Sequence, residues 1–66
     1  MTVIVNGEER QIDGTATALD LLHSLGLDPR TVVVEVNRSI VRRPALADTE
    51  LNAGDHIELV HFVGGG

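Results

Sequence analysis

At 66 residues the chain is one small domain's worth of sequence, with five basic residues against ten acidic ones and a formal charge of −5. The absence of cysteine excludes disulfides, thiolate catalysis and Cys-ligated metals, and an acidic chain with one aromatic, Phe62, lacks the cationic stacking surface that nucleic acid requires. No apolar run nears the ~20 residues of a membrane span and Met1 opens no signal or transit peptide, so the expectation is a soluble, cytoplasmic mini-domain suited to carrying or binding.

Thr2-Val3-Ile4-Val5 is β-branched and ends at Asn6-Gly7, a pair suited to the positive φ angles of a two-residue hairpin turn. Such a turn sets Val5 opposite Glu8, Val3 opposite Arg10 and Met1 opposite Ile12. Arg10 then falls on the apolar side, where an edge strand lets its stem follow the core margin with the guanidinium in water. Thr17-Ala18-Leu19-Asp20 has the form of a capping box, and Ala18, Leu21, Leu22 and Leu25 form one apolar stripe. With Gly26 as the left-handed terminator, a helix over residues 18–25 is predicted. A third strand is expected over Thr31 to Val36, with Val32, Val34 and Val36 inward and Val33 outward. After a turn at Asn37-Arg38-Ser39 comes a short extended piece through Ile40 and Val41, ended by Arg42-Arg43-Pro44. Leu46 and Leu51 are expected to plug the core from a polar connection. The last strand is expected from His56 to Val63, with Ile57 and Leu59 on one face and Glu58, Val60 and Phe62 on the other.

This order predicts an α+β roll: a mixed sheet of four to five strands with one main helix packed on one face. It is similar to the β-grasp arrangement, whose first and last strands run parallel and adjacent in the centre. That placement comes from the likeness between folds and not from periodicity. Residues 1–63 form the expected domain, and Gly64-Gly65-Gly66 a flexible tail.

Side-chain chemistry is sparse. His56 and His61 lie an odd number of residues apart on one strand, so they face opposite ways and cannot share an ion, and His23 sits on the helix beside Asp20. No metal site is expected. Glu8-Glu9 and Asp48/Glu50 fall in turns and loops, and Ser24 and Ser39 have no base and acid at motif spacing. The terminal glycines lack the helix and Lys-Ser/Thr of a phosphate loop.

The tail itself is the stronger signal. A terminal carboxylate is inert as an anion but becomes an acyl donor once condensed with ATP. Glycine leaves its carbonyl unhindered and its backbone narrow enough to thread a channel. Because Gly64 follows directly on a strand, the tail projects from a scaffold. Beside it, Ile4, Val33, Val60 and Phe62 line one face if the three strands are neighbours, an apolar strip suited to a partner protein. The net negative charge is expected to steer the chain toward basic surfaces.

The Met-x-Val-x-Val-Asn-Gly opening, Val34-Glu35-Val36-Asn37-Arg38 and the run from Gly54-Asp55 through Ile-Glu-Leu-Val-His-Phe-Val to Gly64-Gly65-Gly66 closely resemble the ThiS family of thiamine-biosynthesis sulfur carriers. The resemblance covers nearly all of the chain. It implies a ubiquitin-like β-grasp fold and a protein cosubstrate, not an enzyme. It further implies that Gly66 is adenylated by a ThiF-type adenylyltransferase using ATP and Mg²⁺, with no cofactor held by the chain itself. Sulfur drawn from cysteine by a desulfurase then makes a thiocarboxylate, from which thiazole synthase (ThiG) builds the thiazole ring. Gly66 is the reacting residue, with Gly65 and Gly64 threading the tail. Two alternatives remain open: a molybdopterin synthase small-subunit type of carrier, and a β-grasp module that only binds.

Overall fold

The structure is a computed structural model that describes residues 1–13 and 16–62. The expected tail and Val63 lie outside the described residues. β1 (Thr2–Val5) and β2 (Glu8–Gln11) form an antiparallel hairpin in the expected register, Val3 opposite Arg10 and Val5 opposite Glu8. Asn6 and Gly7 have φ of 49° and 84°, the two left-handed residues that let a turn follow the twist of its strands. Met1 and Ile12 exchange backbone hydrogen bonds of 2.7 and 2.8 Å, extending the ladder to the expected pair.

α1 (Ala18–Ser24) begins with the capping box: the Asp20 amide donates to the Thr17 hydroxyl, and the Thr17 amide to the Asp20 carboxylate. Its end is a Schellman closure. Gly26, at φ 72°, donates to the His23 carbonyl, and Leu27 donates to that of Leu22. A helix of seven residues does not persist alone, so its stability comes from burying Ala18, Leu21 and Leu22.

β3 (Val32–Val36) starts one residue later than expected, because Pro29–Thr31 form a 3-10 turn. The Asp28 carboxylate accepts the Arg30 amide at 2.9 Å and so caps that turn. β4 (Ser39–Val41) follows through Asn37 and Arg38, both left-handed at φ 50° and 73°. The next connection is a 3-10 helix, Arg43–Asp48, opened by Pro44. It lowers Leu46 into the core, and Leu51 follows. β5 (His56–His61) ends two residues before the expected Val63. Phe62 nevertheless stays tied to the third strand's end, its amide donating to the Thr31 carbonyl at 2.9 Å.

The five strands lie in the order β2-β1-β5-β3-β4, with β1 and β5 parallel in the centre and the other pairs antiparallel. One face buries Val3, Val5, Val32, Val34 and Ile57 against Leu21, Leu22, Leu46 and Leu51. The other carries no helix. Two asparagines bracket β5. Asn6 accepts the Leu59 amide at 2.8 Å and donates to the Leu59 carbonyl, extending β1 with a side chain. On the other side, Asn37 accepts the His56 amide at 3.0 Å and donates to the Asp55 carboxylate.

Asn6→Gly keeps the left-handed turn and removes only these side-chain bonds. It is expected to lower stability by about 1–2 kcal/mol, read as a lower urea midpoint at unchanged slope.

Candidate functional site

β5 pairs with β3 from Ile57 to His61 and with β1 at His56 and Ile57, and the Asn6 side chain holds Leu59, so the strand is kept in register up to its last residue. On the helix-free face Val60 lies opposite Val33, and Phe62 follows two positions on, beside Thr31. Val60 and Phe62 are each 55% exposed, whereas Val33 is half-buried. Three of the four expected partner-face residues therefore stand together. Ile4 does not join them. It lies on the same face but pairs with His56, four residues back along β5, with Glu58 in between. The parallel β1 ends before it draws level with Val60.

Ile40 takes the place that Ile4 was expected to hold. It lies on β4, is 64% exposed and pairs with Glu35 of β3, one diagonal step from Val33. Its orientation is readable from alternation, since Val41 pairs with the buried Val34, but only once β4 is known to be a strand of this sheet.

Between Ile40 and Phe62 lies a shallow groove of about 200 Å³ floored by Val33, whose rim carries Arg30, Arg42 and Arg43. Arg30 makes a two-pronged contact with Asp28, Nη2 to Oδ2 at 2.8 Å and Nε to Oδ1 at 3.1 Å. The Arg30 side chain and then its backbone amide hold the Asp28 carboxyl down to about 2, with a lesser contribution from Arg43. The acidic total of the chain does not describe this end of the molecule.

The histidines fall as the spacing predicts: His56 on the helix-free face, His61 on the opposite side of the same strand in a cleft with Arg10 and Leu27, and His23 on the last turn of α1. Among the described residues no three His, Asp or Glu side chains converge as a metal would need. No helix among them is long and apolar enough to cross a membrane. Arg10 lies on an edge strand exposed throughout and contributes to the margin of that cleft, as its place in the hairpin implies.

The sequence matches the ThiS family over residues 3–66. The chain belongs to the ThiS family. It is 46% identical over 52 residues to the sulfur carrier protein ThiS of Bacillus subtilis, covering 79% of each chain. It is also 44% identical, over its whole length, to part of a thiazole synthase of Paramagnetospirillum magneticum, and spans only 20% of that protein. The crystal structure of a thiamine biosynthesis protein (ThiS) from Geobacter metallireducens superposes over the whole of both chains with a TM-score of 0.85 at 33% identity. The β-grasp expectation and the family resemblance both hold.

A carboxyl group held down in the fold stabilises it above its ordinary pKa of 3.8, and that contribution fades as pH falls toward about 2. Asp28→Asn is therefore expected to lower stability slightly at neutral pH, with the deficit closing between those two values in urea unfolding measured across pH. Arg30→Ala should move the Asp28 midpoint, followed by carboxyl NMR, up toward 3.8.

Proposed function

We propose that this chain is a sulfur carrier of thiamine biosynthesis, in which Gly66 is the reacting residue and the folded domain is its handle. The observation that carries this reading is the extent of the family match, which runs through the glycine tail to residue 66. A relative named as a sulfur carrier protein supports it. So does a scaffold whose last strand is locked between two neighbours and ends beside an open apolar face.

The chemistry needs nothing from the domain's side chains. The Gly66 carboxylate attacks the α-phosphorus of ATP on a ThiF-type adenylyltransferase that supplies Mg²⁺. Pyrophosphate leaves, and a mixed anhydride with AMP forms. A persulfide on the cysteine desulfurase relay then displaces AMP to form an acyl disulfide, and a thiol of the relay cleaves its S–S bond, leaving the thiocarboxylate and a disulfide on the relay. This form keeps sulfur nucleophilic and tethered, so no free sulfide is released. Thiazole synthase takes the sulfur and returns the carboxylate. Stretches similar to the whole chain within proteins named thiazole synthase support that enzyme as the point of delivery. The chain is thus a cosubstrate and not a catalyst, and it works in the cytoplasm. Gly65 and Gly64 serve as the thread, since without Cβ atoms they enter a channel that a larger residue blocks.

Intact mass after incubation with ATP and the adenylyltransferase is expected to show an AMP adduct. With the sulfur donor added, the mass change should equal exchange of one oxygen for one sulfur. One alanine appended after Gly66 is expected to reduce thiazole formation to background while leaving the fold intact. A chain that is never adenylated, or an extended chain that still supports thiazole formation, overturns the reading.

A further inference from the structure

The groove between Ile40 and Phe62 combines three features that are independent of the tail's chemistry. Its apolar walls are exposed: Ile40 and Phe62, which line it, and Val60 on the same face beside it are the most exposed large hydrophobic side chains among the described residues. Arginine and an aromatic ring are also the residue types that anchor protein interfaces. Charge is the second feature. Three of the chain's five arginines rim the groove, and Arg30–Asp28 is the only ion pair among the described residues. Counting Asp28, this corner carries a formal +2, so the rest of a chain with total −5 carries −7.

Reach is the third. Gly66 lies four positions beyond Phe62, and a fully extended chain spans at most ~3.6 Å per residue, about 14 Å in all. An enzyme that handles Gly66 must therefore bring its own surface to Phe62, and with it to Arg42 and Arg43. Its contact there is decided locally. At physiological ionic strength charges separated by more than about 8 Å are largely screened, so the acidic remainder repels weakly while arginines in contact still attract.

We propose that this groove is the docking site for an acidic stretch of the thiazole synthase that takes sulfur from the tail, its carboxylates pairing with Arg42 and Arg43 and an apolar side chain seated between Ile40 and Phe62. The partner's identity rests on the carrier reading; its surface chemistry rests on the groove. Arg42 and Arg43 are exposed, and the Arg42 side chain makes no capping bond, so both positions accept substitution without loss of the fold. Net charge alone points to a basic docking surface, whereas the arginine rim of this groove favours an acidic one.

The test is the affinity of the full chain for the purified thiazole synthase of the same organism, measured without ATP. Arg42→Glu with Arg43→Glu is expected to weaken binding by about tenfold or more, whereas Arg42→Lys with Arg43→Lys stays within about threefold. Arg38→Glu, a charge reversal at the tip of the β3–β4 turn and outside the groove, should leave affinity unchanged. Phe62→Ala should weaken binding independently of charge. Thermal unfolding of each variant confirms the fold. If the double reversal binds as tightly as the parent chain, or more tightly, the docking proposal falls while the carrier reading stands. If the parent chain does not bind the enzyme at all, both fall.

Discussion

The parallel pairing of β1 with β5 is the constraint on which the rest of the molecule depends. It joins the two ends of the chain, with Ile4 donating to the Asp55 carbonyl at 2.8 Å and Asn6 donating to that of Ile57 at 2.9 Å. A contact between residues some fifty positions apart closes a long loop, and that entropic cost must be offset by burial. Val3, Val5 and Ile57 supply it, all at most 6% exposed at the sheet's centre. The pairing is short, and the Asn6 side chain lengthens it by engaging Leu59 beyond the last residue of β1.

From this seam the division of labour between the two faces follows. α1, Leu46 and Leu51 cover one face, so the stability of the domain is spent there. The opposite face, relieved of any packing role near β4 and the end of β5, leaves Ile40, Val60 and Phe62 exposed. β5 serves both sides, its alternate residues turned to the core or presented outward. The exposed Val60 and Phe62 therefore lie on the same stretch of chain whose Ile57 and Leu59 face the core.

Charge is organised by the same geometry. Read as a total, −5 suggests an acidic ligand for basic partners. Folding gathers Arg30, Arg42 and Arg43 from two separate connections onto one rim, while acidic residues such as Glu35 and Glu58 face each other farther back along the sheet. Charge on the outer face is thus uneven, with three arginines gathered near Phe62 and the Glu35–Glu58 pair, beside Arg38 and His56, farther back.

Local features were legible in the sequence because each is decided within a few residues. The Asn6-Gly7 turn and its register, the Thr17/Asp20 box, the Gly26 termination and the core positions of Leu46 and Leu51 all follow from backbone preference and spacing. The glycine tail, too, was a matter of sequence alone. What spacing did not reveal are the points where distant segments meet. The start of β3 depends on a capped turn at Asp28, and the failure of Ile4 to reach Val60 depends on where a parallel neighbour stops. The place of Ile40 and the arginine rim depends on β4 lying beside β3. Alternation along a strand says which way a side chain points. Only the order and register of strands brought together from across the chain say which side chains become neighbours, because that choice is made by burial of the whole sheet against its helix.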